Sequence, residues 1–213
     1  MFKKKNLQVA IDCNTKVEAL NIMRQVAEYV DIIEIGTPLV LAVGASFAGE
    51  VKALYPDKIV FLDEKIMDGG KIIADHAFNC GADLVSVLGT SEDSTIKAAI
   101  DCAHAHGKYM VVDLCAVHDL KTRAEQVAAM GTDLVGVHVG YDIQATGADP
   151  LEELKKLDGI PCMKTVAGGI KEATFEDACQ SDANVIIVGG GLCSVPDPAK
   201  TAKWMFETLN KYR

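Results

Sequence analysis

Two aspartates and a lysine stand close together in Asp63-Glu64-Lys65-Ile66-Met67-Asp68, directly after the apolar run Ile59–Leu62. Asp63 and Lys65 are two positions apart, so in an extended chain their side chains point to the same face. Asp68 follows in a turn marked by Gly69-Gly70. A lysine between two aspartates keeps its proton, because neighbouring negative charge favours the ammonium form. That disfavours Schiff-base chemistry, which needs a neutral amine. A persistent ammonium is better suited to holding a developing oxyanion or donating a proton. The plainer alternative is a structural ion pair, with Asp68 capping the helix that follows.

Four other apolar runs also end in an ionisable group: Asp12, Glu34, Asp113 and His138. Glu34 and Asp63 are candidate metal ligands if their runs are adjacent strands. Two carboxylates with open coordination positions suit Mg2+, which keeps several waters and takes other ligands from a substrate. Zinc is less expected, since no His/Cys set shows a suitable spacing. His104 and His106 are two apart on a helical segment, so they diverge and read as surface residues; His76 falls in a helix and His118 in a loop. His138 is followed by Gly140-Tyr141, and a histidine titrating near neutrality is a natural proton shuttle. A satisfied structural histidine is the alternative. Asp12 and Asp113 are open to three roles: orienting Lys65, binding a substrate hydroxyl, or capping a helix.

These residues need a scaffold that gathers strand ends, and the chain has the rhythm of one. Apolar runs at Leu7–Ile11, Ile32–Ile35, Ile59–Leu62, Leu84–Leu88, Tyr109–Val112, Leu134–Val137, Cys162–Val166 and Val185–Val188 start 23 to 28 residues apart. Each has the length and composition of a strand buried on both faces. Between them lie helical spacings: Val17, Leu20, Val26 and Ala27; Ile72, Ile73, Ala77 and Phe78; Ile96, Ala99, Ile100 and Ala103. Asn14-Thr15 and Ser91-Glu92-Asp93 read as helix starts, and Gly81, Gly107 and Gly131 as helix stops. Strand and helix alternating through short connections imply parallel strands. Eight units in 213 residues fit one closed (β/α)8 TIM barrel over 1–213 better than an open doubly wound sheet. Active sites of such barrels lie at the C-terminal strand ends, and phosphate sites in the loops after strands seven and eight. Gly168 and Gly169 follow the seventh run, and Gly189 and Gly190 the eighth, where glycine lets backbone N–H groups approach an anion.

Hydrophobic residues make up 49% and charged residues 24%, an ordinary globular balance. The net charge of −9, from 21 basic and 30 acidic residues, argues against nucleic-acid or anionic-membrane partners. An anionic substrate must then be held by local amides, a lysine or a metal. Seven scattered cysteines without a CxxC pair read as reduced, buried thiols, and the apolar run behind Met-Phe-Lys-Lys-Lys is too short for a signal peptide or membrane span. A cytoplasmic protein is the expectation.

The chain resembles the orotidine 5′-monophosphate decarboxylase suprafamily, and within it the 3-hexulose-6-phosphate synthases. The likeness rests on Leu7-Gln-Val-Ala-Ile-Asp12, Ile32-Ile-Glu-Ile-Gly-Thr-Pro-Leu39, Asp57-Lys-Ile-Val-Phe61, Asp83-Leu-Val-Ser-Val-Leu-Gly89, and an Asp-x-Lys-x-x-Asp signature at Asp63, Lys65 and Asp68. Asp93-Ser-Thr-Ile96 and Val111-Val-Asp-Leu114 add to it. The resemblance implies Mg2+-dependent aldol chemistry joining formaldehyde to the sugar phosphate D-ribulose 5-phosphate. It implies Glu34 and Asp63 as metal ligands, His138 as the group moving a proton, and Lys65 and Asp68 on the reacting oxygens. Gly168, Gly169, Gly189 and Gly190 would hold the phosphate. It also implies a homodimer in which Asp68 reaches the partner's site. The related 3-keto-L-gulonate-6-phosphate decarboxylases carry arginines where this sequence has Tyr141 and Gly190, which favours the synthase type. Orotidine monophosphate decarboxylation needs no metal and would leave Glu34 without a role.

Overall fold

In the computed structural model, which describes residues 2–213, eight parallel strands close into a barrel in sequence order. The strands are β1 (Asn6–Ile11), β2 (Ile32–Ile35), β3 (Ile59–Ile66), β4 (Leu84–Leu88), β5 (Tyr109–Asp113), β6 (Leu134–His138), β7 (Met163–Ala167) and β8 (Val185–Val188). The expected eight runs are all strands. Asp63, Lys65, Asp113 and His138 lie inside the strands rather than beyond them, because β3 continues through Lys65, β5 ends on Asp113 and β6 ends on His138.

Outside runs α1 (Lys16–Val26), α2 (Thr37–Val43), α3 (Phe47–Leu54), α4 (Gly70–Asn79), α5 (Asp93–Ala105), α6 (Leu120–Ala129), α7 (Pro150–Lys155), α8 (Glu172–Gln180), α9 (Gly190–Cys193) and α10 (Pro198–Leu209). The β2–β3 connection thus holds two helices, and α9 is a short extra turn after β8. Among the described residues no single helix is long and apolar enough to cross a membrane.

Strand alternation sorts the side chains. Val9, Ile33, Ile35, Val60, Leu62, Val85, Val112 and Val135 face the helices in one core. Ile32, Ile59, Phe61, Leu84, Val111, Leu134 and Val185 fill the barrel interior in another. Counting on by twos from the interior residues leads from Ile32 to Glu34, Phe61 to Asp63, Leu84 to Ser86, Val111 to Asp113 and Leu134 to His138. The phase that packs the barrel therefore also stacks polar groups above the apolar plug at its C-terminal end.

The opposite end carries a four-fold repeat. Asp31, Asp83, Asp133 and Asn184 stand immediately before β2, β4, β6 and β8. Each side chain accepts the backbone N–H of the second residue of the preceding strand: Leu7, Val60, Met110 and Lys164, at 2.9, 3.0, 3.0 and 2.9 Å. These bonds pin each odd strand to the even strand that follows. Asp83 is further bound by Lys52 at 2.8 Å and Lys108 at 2.6 Å.

Two helix faces differ from the expected ones. In α1, Val17 is exposed and the buried stripe is Ala19, Met23 and Val26; in α4, Ile72 and Ile73 are exposed and the buried set is Gly70, Ala74, Ala77 and Phe78. A Cβ at Gly70 would lie 2.1 Å from the Thr95 carbonyl, so α4 packs its smallest residues on α5 and turns Ile72 outward. The α5 face is as expected. Thr15 caps α1, but Ser91 does not cap α5: its hydroxyl donates to the Ile66 carbonyl at 3.0 Å. All seven cysteines are free, and three of them, Cys13, Cys102 and Cys179, are fully buried. Burial pushes the Cys179 and Cys193 thiols up to about 12, so neither is a thiolate at neutral pH.

Candidate active site

Every strand-end candidate except Asp68 lies at the barrel mouth. Glu34 and Asp63 lie on adjacent strands, 6% and 7% exposed. Gln8, one strand back, donates from Nε2 to Glu34 Oε2 at 2.6 Å. Every buried side-chain oxygen among the described residues has a partner, and the second Glu34 oxygen has no protein donor; it is therefore open to the mouth. Burial and the charge of Asp63 push the Glu34 carboxyl well above the usual carboxylate range. Asp12 sits beside them with one oxygen 2.0 Å from where a Gly36 Cβ would stand, which is why that position has no side chain. Desolvation, then Asp63, raises its carboxyl too.

Asp63 is held from three sides. The Thr37 hydroxyl lies 2.8 Å from both its carbonyl and its Oδ2, Ser86 donates to Oδ1 at 2.7 Å, and Lys65 Nζ reaches Oδ2 at 3.0 Å. Lys65 faces the same side as Asp63, as its spacing predicts, but through a different backbone. Its φ is 45°, and the β3–β4 register shifts between Leu62 and Ile66. A non-glycine residue there costs about 1 kcal/mol. The Ser86 hydroxyl accepts the Lys65 N–H at 2.9 Å and so holds the bulge in place.

The second partner of Lys65 is Asp113, not Asp68. Asp113 Oδ2 accepts from Lys65 Nζ and His138 Nδ1, each at 3.0 Å, and Oδ1 accepts the Cys115 N–H at 2.9 Å. Burial opposes ionisation of Asp113, yet His138 and Lys65 bring its carboxyl down to about 2. Burial likewise opposes the Lys65 charge, and Asp113 and Asp63 outweigh it, holding the ammonium above its ordinary value. His138 follows the same logic: desolvation lowers its affinity for a proton, and the hydrogen bond and charge of Asp113 raise it further. An ionised Asp113 can only accept, so Nδ1 of His138 carries the hydrogen and Nε2 of the neutral ring is the basic atom.

Asp68 is the candidate that does not join this cluster. It is exposed, and its side chain accepts the Gly69 N–H at 2.7 Å. Gly69, in the left-handed region, precedes α4 without a side-chain cap, so Asp68 is not a helix cap either.

Gly168 and Gly169 have φ of 109° and 74°. A Cβ on Gly168 would stand 2.4 Å from the Val139 carbonyl, and one on Gly191 2.3 Å from the Ile170 carbonyl. The two glycine loops therefore touch, beside the mouth: a Gly189 Cβ would lie 3.7 Å from Asp12 Oδ2. The N–H groups of Gly168, Gly169, Gly189, Gly190 and Gly191 take no acceptor from the described residues. Unpaired amides in two glycine loops that touch are groups able to accept an anion.

Sequence reasoning missed Gln8, Gly36, Thr37 and Ser86. Gln8 and Ser86 each interrupt an otherwise apolar strand in the phase that faces the interior, which is a usable signal. Gly36 and Thr37 carry none, since Gly-Thr before a proline reads as an ordinary helix start.

Residues 5–205 match the family "Orotidine 5'-phosphate decarboxylase / HUMPS family". The chain belongs to this family. Within the family, 3-hexulose-6-phosphate synthase of Mycobacterium gastri is 48% identical over 198 residues, covering 92% of this chain and 96% of the relative. A crystal structure of 3-hexulose-6-phosphate synthase superposes with a TM-score of 0.91 at 46% identity, covering 95% of this chain and 99% of the other. A crystal structure of KGPDC from Streptococcus mutans, solved as a complex, has the same TM-score, 0.91, at 26% identity, with 99% of each chain covered. Fold likeness alone thus does not separate these two proteins, and sequence identity does.

Proposed function

We propose that the protein is a Mg2+-dependent aldehyde-lyase of the 3-hexulose-6-phosphate synthase type, condensing formaldehyde with D-ribulose 5-phosphate to D-arabino-hex-3-ulose 6-phosphate. The observation that carries the mechanism is the Lys65–Asp113–His138 chain: an ammonium held charged, a carboxylate held ionised, and an imidazole whose basic nitrogen is fixed by that carboxylate. The named relatives carry the choice of reaction.

His138 Nε2 removes a C1 proton from ribulose 5-phosphate, leaving an enediolate over C1 and C2. C1 attacks the formaldehyde carbon, and the new alkoxide takes a proton, for which protonated His138 is the available acid. Lys65 donates hydrogen bonds to the oxygens where charge develops and remains an ammonium throughout. The N–H groups of Gly168, Gly169, Gly189 and Gly190 bind the phosphate, which explains how a chain of net charge −9 holds an anion.

The mouth fits a divalent cation. Burial, and after it the charge of Asp63, raises the proton affinity of both Asp12 and Glu34 against the opposing charge of Lys65, and one Glu34 oxygen has no protein donor. Glu34 and Asp63, buried on adjacent strands at the mouth, would hold Mg2+, an ion that keeps waters and takes further ligands from a substrate. When bound, Mg2+ supplies Lewis-acid stabilisation of the enediolate.

A homodimer belongs to the same reading. Met67, Ile72 and Ile73, within five residues of Asp68 along the chain, are exposed. Exposed apolar residues next to an exposed aspartate that stays outside its own cluster support Asp68 serving a partner's site.

The test is paired incubation with Mg2+, ribulose 5-phosphate and formaldehyde, and with 3-keto-L-gulonate 6-phosphate. Formaldehyde consumption in the first is expected; CO2 release in the second without it would replace the reading by the decarboxylase. Tyr141 is 87% exposed and Gly190 has no side chain, so neither position supplies the cation such a decarboxylase would use. Turnover that survives exhaustive chelation would remove Glu34 and Asp63 from a metal role.

A further inference from the structure

Away from the mouth, α4 and α5 bring together three side chains that the chemistry above does not use. Asp75 comes from α4, Cys102 from the last turns of α5, and His106 from the residue that ends α5. Cys102 and His106 are four apart, on one helix face, a pairing hidden when His106 is compared only with His104. One ligand atom from each of the three lies within 4.8 Å of the others. His106 Nε2 sits 2.8 Å from Asp75 Oδ1, and Asn79 donates to the other Asp75 oxygen at 3.1 Å. The Phe78 ring packs at 5.4 Å from the imidazole and limits its rotation. His104 diverges, as its spacing requires, and reaches Asp133 instead.

We propose that Asp75, Cys102 and His106 form a second cation site, outside the barrel mouth, that takes Zn2+ or a similar transition-metal ion between α4 and α5. A thiolate, an imidazole and a carboxylate are the ligand types of zinc, and a sulfur ligand selects against Mg2+. Binding releases the Cys102 proton and replaces the Asp75–His106 hydrogen bond by two metal bonds; the fourth position goes to water. Asn79 steadies the Asp75 carboxylate as an outer partner. Such an ion straps two neighbouring helices that already pack closely through Gly70.

Full-length protein, stripped by chelation and then held in saturating Mg2+, is titrated with Co2+. The expected result is a near-ultraviolet thiolate-to-cobalt absorption band reaching one equivalent per chain and abolished by Zn2+. Cys102→Ser loses the band. His106→Ala and Asp75→Asn, at accessible positions that leave folding intact by circular dichroism, weaken Co2+ binding by about tenfold or more. Zn2+ raises the melting temperature of the parent protein and not that of His106→Ala. No band in the parent protein overturns the proposal. So does a band undiminished in both Cys102→Ser and His106→Ala, which would move the ion to Cys13 and Cys193 near the mouth.

Discussion

In the proposed mechanism His138 can act as a base only while neutral, and Asp113 outweighs desolvation to raise its proton affinity above the ordinary histidine value. The sign follows: C1 proton exchange is full above the raised pKa and lost as pH falls through it, so the acid limb lies above the usual imidazole range. Asp113→Asn removes the charge responsible, and the expected outcome is an acid limb moved to lower pH with kcat reduced about a hundredfold or more. A pH profile of exchange in both proteins checks this; an unmoved limb would mean that His138 is not the titrating group. His138→Ala keeps phosphosugar binding and loses exchange of the C1 proton with solvent, read by NMR in deuterated buffer. The charged members of this cluster are legible in the sequence because an ionisable residue at the end of an apolar run is conspicuous. Their positions in strands also put them in phase with the barrel interior. Gln8, Thr37 and Ser86 are not legible in the same way. They are neutral and common in strands and helix starts; Gln8 and Ser86 betray themselves only by their interior phase, and Thr37 acquires meaning only when β2 and β3 are side by side.

At the scale of elements, the four bonds from Asp31, Asp83, Asp133 and Asn184 divide the barrel into pinned strand pairs. The Asp83 carboxyl loses solvation on burial, but Lys108, Lys52 and the Val60 N–H more than compensate and depress its pKa. A depressed carboxyl stabilises the fold above its unfolded pKa, and that contribution disappears as pH falls through the folded value. Asp83→Asn is expected to cost about 2 kcal/mol at neutral pH, below the figure for a fully buried pair because both lysines keep water access. The check is urea unfolding: a lower midpoint, an unchanged slope, and a deficit that shrinks on acidification. Gly168→Ala meets both a positive φ and the Val139 carbonyl. It should raise KM for the phosphosugar about tenfold or more and lower the melting temperature. The eight strands are legible because each is a short β-branched run between glycine-marked stops. The faces of α1 and α4 are not, since the rule that apolar residues point inward fails for Val17, Ile72 and Ile73. In α4 the reason is steric: only Gly70 and the alanines allow the close approach to α5.

That outward turn of Ile72 and Ile73 has its consequence at the scale of the whole molecule. The monomer has a mouth with Lys65, Asp113 and His138 assembled, and an exposed Asp68 bonded only to the Gly69 N–H, in a stretch where Met67, Ile72 and Ile73 are exposed too. Two copies joined through this face would bury those apolar groups and exchange their aspartates. If Asp68 serves the partner's mouth, Asp68→Ala and His138→Ala are each inactive alone. Mixed after dissociation and reassociation, half the dimers are hybrids. In a hybrid the Asp68→Ala chain keeps its own His138 and receives Asp68 from its neighbour, while the second mouth lacks both. One working mouth in two, in half the dimers, predicts recovery of about a quarter of parent activity. Sedimentation equilibrium gives the oligomeric state, and the mixing assay gives the geometry. A dimer without complementation would return Asp68 to its own subunit, and a fully active monomer would remove the shared site altogether.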